Sequence, residues 1–142
     1  MTANIDYSWV GWGKNFYGFL EFFYSGIGES NYRRIFTNEA LIERLLRGDL
    51  FVVGRPYLSG MLQVELHPLC NLWLTSINNL NDPSGILQPR LVYDVVPDVQ
   101  ILVGGTVFYG GSETEFGGFR LPGTELTTAA PPAVFVWLSY YF

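Results

Sequence analysis

The sequence predicts an all-β chain, an antiparallel transmembrane β-barrel of about seven strand segments (six to eight per chain) with one short helix in a long extracellular loop. Three observations carry this. Hydrophobic residues make up 49% and aromatics 17% of the 142 residues against only 15% charged, whereas a water-soluble domain carries about 25% charged residues. No apolar run approaches the roughly 18 residues of a membrane-spanning helix, so the hydrophobicity is spread through segments that alternate with the period of a strand. The connections between those segments alternate short and long, as in transmembrane barrels with tight periplasmic turns and longer extracellular loops. A chain of this length is read as one domain, 1–142.

In chain order, Ile5, Tyr7 and Trp9 share a face opposite Asp6 and Ser8, and Gly13, Lys14 and Asn15 read as a tight turn. In the second segment Phe16, Leu20, Phe22 and Tyr24 lie opposite Tyr17, Phe19, Glu21 and Phe23. The alternation stops from Gly26 to Asp49. There Thr37 is the expected N-cap of a short amphipathic helix over Asn38 to Arg47, with Glu39 and Glu43 early, Leu41/Leu45 and Ile42/Leu46 as i, i+4 pairs, and Gly48 as the stop. The third strand, starting near Val52, alternates most clearly: Pro56, Leu58, Gly60, Leu62, Val64 and Leu66 against Arg55, Tyr57, Ser59, Met61, Gln63 and Glu65. After a short turn from His67 to Asn71, the fourth is expected to place Trp73, Thr75 and Ile77 outward and Ser76 and Asn78 inward. Asn81 to Gly85 is a turn cluster. The fifth sets Leu87, Pro89, Leu91 and Tyr93 against Gln88, Arg90, Val92 and Asp94, with Pro89 unable to donate to the ladder. The sixth, Val99 to Gly110, carries Ile101, Val103, Val107 and Tyr109 outward, and the loop Gly111 to Pro131 leads to the last strand.

That last strand reads PAVFVWLSYYF. Val134, Val136, Leu138, Tyr140 and Phe142 form an unbroken apolar row up to the carboxyl end. It resembles the C-terminal strand of bacterial outer-membrane β-barrels, which end in Phe with apolar residues at alternate positions upstream. The resemblance implies that these five residues serve as an assembly signal read by the barrel assembly machinery. The stretches GKNFYGFLEFFYSGIGES, INNLNDPSGILQP and TEFGGFRLPGT are similar to the C-terminal part of uncharacterised porin-like outer-membrane proteins. This implies a bacterial outer-membrane location, lipid or detergent as the surrounding phase, and a non-enzymatic structural or porin-like role, with no activity to carry over residue by residue.

On this reading Leu58, Leu62, Val64, Leu87, Leu91, Val103, Val136 and Leu138 face lipid. The lumen holds a polar network of Asp6, Glu21, Arg55, Gln63, Glu65, Arg90 and Asp94, charges that would each cost about 2–4 kcal/mol on the lipid side for Arg or Lys. These residues either select solutes in a pore or knit a filled interior. A soluble lipocalin-like ligand-binding barrel would show the same alternation, so the loop lengths are what separate the two readings.

Dedicated chemistry is scarce. The net charge of −5 excludes a basic nucleic-acid face, and the single Cys70 excludes an internal disulfide or a thiolate metal site. A small barrel enzyme acting on lipid or peptide would lean on a His, but His67 falls in an expected periplasmic turn with no Ser placed to join it. Glu29, Asp82, Glu113 and Glu115 read as solvated loop acids without the spacing of a Ca²⁺ loop, so no metal or other cofactor is expected.

Strand count is the awkward point. Met1 to Asn4 lead straight into a strand with no leader pattern, so the chain reads as a mature form or a C-terminal piece of a larger barrel. With seven segments the first and last run the same way and meet only in parallel. If the first is displaced, six strands present opposed edges that several copies can join, and a homo-oligomeric barrel is the expectation. An eight-stranded monomer using Glu115 to Leu121 as an extra strand ranks below it. Deleting Phe142 is expected to reduce assembly in cells more than refolding in detergent; equal losses, measured as folded fraction in each setting, would remove the recognition role.

Overall fold

The computed structural model describes residues 1–120 and 125–142. Seven strands form one sheet in strict sequence order: β1 (Thr2–Gly11), β2 (Lys14–Tyr24), β3 (Pro56–His67), β4 (Cys70–Asn79), β5 (Ser84–Val96), β6 (Val99–Tyr109) and β7 (Ala133–Tyr140). A 3₁₀ turn, Tyr32–Thr37, and one helix, α1 (Glu39–Leu46), lie between β2 and β3. Each neighbouring pair is antiparallel. Among the described residues β1 and β7 do not pair with each other, so the sheet is open.

The turns explain the meander. Trp12 and Gly13 both have positive φ, 48° and 70°, the conformation of a two-residue hairpin whose twist matches its strands. The first turn is therefore Trp12–Gly13, one residue earlier than expected, and Lys14 and Asn15 belong to β2. Pro68–Leu69 and Pro97–Asp98 close the other hairpins at the same end, each beside a register shift, at Glu65/His67 and Asp94/Val96. The long connections, 25–55 and 110–132, leave from the opposite end together with the turn 80–83. As expected, Pro89 interrupts pairing with β6: the register steps from Leu87↔Val107 to Arg90↔Gly104. The Gln88 Nε2 donates to Thr106 Oγ1 at 3.2 Å across this gap.

Residues opposite one another in an antiparallel pair share a face, so the register sorts the whole sheet. One row runs Trp9, Phe16, Val64, Leu72, Leu91, Val103, Val136; the next runs Tyr7, Gly18, Leu62, Leu74. Leu72 and Leu74, not Trp73 and Ile77, complete these apolar rows. The expected phase of β4 is thus inverted: Trp73, Thr75 and Ile77 lie on the mixed face, and Ser76 and Asn78 on the apolar one. Met61, Gln63, Trp73 and Thr75 are half-buried at mid-sheet while Leu62 and Leu74 are exposed, so the mixed face is the less exposed of the two there.

Two further expectations are corrected. The first segment is not displaced: β1 pairs with β2 from Thr2↔Phe23 to Gly11↔Lys14 without a break, because its alternation continues the faces of β2 in phase. Residues 115–120 form no strand but a turn carrying the bridges Thr114↔Gly118 and Arg120↔Thr127; Leu121, the end of that expected strand, lies outside the described residues.

The tightest packing sits over the long-loop end. Tyr32, Ile35, Leu41 and Phe119 are buried together, with Leu45, Leu50 and Val53 against them. The helix meets this cluster through Leu41, which is fully buried, while Leu46 is 84% exposed. Its N-cap is Asn38 rather than Thr37: the Asn38 side-chain oxygen accepts from Leu41 N at 3.1 Å, and Thr37 Oγ1 instead donates back to Arg34 O at 2.9 Å. Gly48, at φ 73°, ends the helix as expected.

Candidate functional site

Two surfaces stand out: the apolar face with its edges, and a polar cluster under the long loops. All eight residues expected to face lipid (Leu58, Leu62, Val64, Leu87, Leu91, Val103, Val136 and Leu138) lie on the apolar face, as the register requires. Aromatic rings border the aliphatic band. Trp9, Phe16, Tyr93 and Tyr140 lie toward the short-turn end, and Phe22, Tyr24 and Tyr109 toward the long-loop end. Trp9 stacks between Tyr7 and Phe16, at centroid distances of 6.2 and 5.2 Å. Polar groups within this face are satisfied locally: Tyr109 OH donates to Asn78 Oδ1, and Asn78 Nδ2 donates to Ser76 Oγ and Leu58 O, both at 3.1 Å.

The residues of the expected assembly signal are in line. Val134, Val136, Leu138 and Tyr140 share the apolar face of β7, Phe142 stacks on Tyr140 at 6.3 Å, and Tyr141 N donates to Asp98 O at 2.9 Å beyond the end of the strand.

The expected lumen residues other than Arg55 share the mixed face but do not form one network. Asp6 stands in a row with Phe19, Met61 and Thr75, Glu21 with Asn4, Ser59 and Ile77, and Arg90 with Gln63, Trp73 and Gly104. Among the described residues no ion pair joins any of them. Adjacent strands are about 4.8 Å apart, and these charges are separated by two or more strands or by several rows, beyond contact reach. Four of them, Glu65, Asp94, Gln63 and Arg55, instead take a nearby neutral partner. Asn15 Nδ2 donates to Glu65 at 2.7 Å, Gln100 Nε2 to Asp94 at 2.7 Å, and Gln63 Nε2 to Asn71 at 3.5 Å. Arg55 lies just outside β3 and donates to Gly28 O at 2.6 Å.

The polar cluster under the loops was not expected. Glu115, from the β6–β7 connection, accepts from Val53 N, Tyr57 OH and Asn79 Nδ2, each at 2.6 Å. Asp82, from the β4–β5 turn, accepts from Tyr32 OH, Ser84 Oγ and Glu115 N. Asn79 also donates to Tyr32 OH at 3.0 Å, and Phe119 stacks on the Tyr32 ring at 5.0 Å. Burial, followed by the hydrogen bond to Asp82 and its negative charge, pushes the Tyr32 hydroxyl well above the usual phenol range, so it remains a neutral donor. Asp82 and Glu115 are thus hydrogen-bond hubs, not the solvated loop acids the sequence suggested. They lie 33 residues apart, and no local spacing rule relates them. His67, by contrast, only accepts from Leu69 N at 3.2 Å in its own turn.

The chain matches no protein-family profile, no curated protein and no solved structure.

Removing the Glu115 carboxylate strands three donors at once, and groups bonded to a charged partner are worth about 1.5–3 kcal/mol each when net. Glu115→Ala is expected to loosen the long-loop end by about 2–4 kcal/mol, with Glu115→Gln intermediate. Hydrogen exchange would show faster amides over 51–57 and 113–119 with β1 and β2 unchanged; uniform acceleration would mean the cluster supports the whole sheet.

Proposed function

We propose that the chain is a non-enzymatic, porin-like β-barrel segment of a bacterial outer membrane, with the apolar face against lipid and the mixed face toward a lumen. The observation that carries this is the apolar face, continuous across all seven strands and bordered by aromatic rings at both ends. Val134, Val136 and Leu138 are 82%, 68% and 67% exposed. Keeping such a face in water forgoes about 25 cal/mol per Å² of apolar surface, whereas hydrocarbon accepts it without cost. Strand length agrees. β1 to β6 run 10 to 13 residues, and a tilted transmembrane strand needs about 9–11.

The exposure of the apolar face, with Leu62, Leu74, Val103 and Val136 all open to the surroundings, favours this reading over a soluble ligand-binding barrel, which would enclose its apolar face. Nothing about His67, hydrogen-bonded within an exposed turn at the end remote from the loop cluster, supports lipid or peptide hydrolysis. The Asp82–Glu115 cluster instead fits a structural role, drawing the long connections over the barrel mouth.

Charge substitution tests the assignment of faces. Leu62→Arg and Leu91→Arg place a cation in hydrocarbon at about 2–4 kcal/mol near the midplane, so each is expected to lower the protease-resistant membrane-assembled fraction strongly. Gln63→Arg, one residue away on the mixed face, is expected to be mild. Equal damage at 62 and 63 would refute the assignment, and a chain that remains monodisperse without detergent would refute the membrane reading itself.

A further inference from the structure

Resting on the membrane reading above, we infer that the mixed face and the loop cluster at its mouth form a cation-selective surface, one that draws small cationic solutes toward the lumen and holds anions out.

The charges on that side are nearly all of one sign. On the mixed face of the strands Asp6, Glu21, Glu65 and Asp94 are opposed by a single cation, Arg90. Each of the four acids stands in a different row, and Arg90 occupies the row between those of Asp6 and Glu65. Neighbouring rows of one face are two residues apart, about 7 Å, which is inside the Debye length of about 8 Å at physiological salt. The fields of successive rows therefore overlap, and one guanidinium among four carboxylates weakens the negative potential without reversing it.

The mouth adds to it. Tyr57, Asn79 and Ser84 stand in one row at the long-loop end of the mixed face, and through them Asp82 and Glu115 are held over that face. The bonds these two carboxylates accept come from backbone N–H, phenol, amide and hydroxyl groups, and neutral donors spread a charge without cancelling it. Both charges act beyond their own contacts: after burial and the Asp82 hydrogen bond, the negative charges of Asp82 and Glu115 add to the upward push on the Tyr32 hydroxyl.

The basic side chains are engaged elsewhere. Among the described residues the ion pairs are those of Arg47 with Glu43 and Asp49, at the end of the loop helix. Arg55 donates to Gly28 O, and Lys14 donates to Leu66 O at the short-turn end. Mutual neutralisation therefore does not knit the mixed face, the alternative to solute selection that the sequence left open. Charges of one sign along a low-dielectric cleft focus the field and concentrate opposite ions, and Asp and Glu lining a pore favour cations in the same way.

Nitroxide accessibility tests this on the full chain in a neutral maltoside micelle, with Cys70→Ser and a spin label at Gln63→Cys, mid-sheet on the mixed face. The collision rate with trianionic chromium oxalate is measured relative to an uncharged nickel chelate and normalised to the free label. The anion is expected to be depressed at least about threefold, since potentials over such surfaces reach several kT. Salt at 1 M, where the Debye length is about 3 Å, is expected to abolish the difference without any further substitution. Neutralising the strand acids together, Asp6→Asn, Glu21→Gln, Glu65→Gln and Asp94→Asn, is expected to return the ratio to that of the free label. A ratio equal to the free label's at low salt, a depression that persists at 1 M salt or survives neutralisation, or an absence of collisions with either reagent overturns the inference, the last because it would show a filled interior. A label at Leu62→Cys reads the membrane assignment separately: both aqueous reagents are expected to be excluded there, and their free access at 62 would refute that assignment whatever the ratio at 63.

Discussion

The antiparallel ladder, in phase across all seven strands, is the constraint on which everything else in this structure rests. Side chains alternate with a period of two, so a slip of one residue at any pair would move that strand's entire apolar set to the other face. The ladder holds phase from Trp9 through Phe16, Val64, Leu72, Leu91 and Val103 to Val136. Its irregularities fall beside the short turns, at Glu65/His67 and Asp94/Val96, and at Pro89, where a missing donor is bridged by Gln88 and Thr106. None of them changes which face a strand presents at mid-sheet.

Given that ladder, the loops need not form a core for the sheet, and they do not. The buried cluster of Tyr32, Ile35, Leu41 and Phe119 belongs to the connections themselves. It is tied to the strands through polar groups: Tyr57 at the start of β3, Asn79 at the end of β4 and Ser84 at the start of β5. The two carboxylates at its centre are compensated by hydrogen-bond donors, which is the condition for burying charge at tolerable cost. An apolar plug would pack as well but would not fix the turn 80–83 relative to the β6–β7 connection, a registration supplied by Glu115 N to Asp82 at 3.0 Å.

What was legible in the sequence follows from range. Six of the seven strands show their faces through local alternation, and their assignment to faces is the observed one. β4 fails because LWLTSINN is apolar at adjacent positions: Leu72, Trp73 and Leu74 fit either phase, and only pairing with Val64 and Leu91 selects one. Helix α1 was readable from its leucines, but Thr37 and Asn38 are both good caps, and the choice turns on Asn38 Nδ2 reaching Ile27 O and Glu29. The charges Asp6, Glu21, Glu65, Arg90 and Asp94 stand together on the mixed face, but partners were assigned to them by sign, whereas distance across the strands decides partners. The Asp82–Glu115 cluster was invisible because all of its contacts except the Ser84–Asp82 bond join residues far apart in the chain, and an acidic residue in a loop carries no local mark of its partners.

The cap and the edges occupy different parts of the sheet, and this separation has a mechanical meaning. Tyr57, Asn79 and Ser84 anchor the loop cluster to the three central strands, β3, β4 and β5, while β1 and β7 carry none of its side-chain anchors. Strands can therefore be added at either edge without displacing a single hydrogen bond of the cluster. Conversely, loosening Glu115 leaves the pairing of β1 with β2 intact. The anchoring of the loop cluster and the pairing of the outer strands are therefore independent of one another.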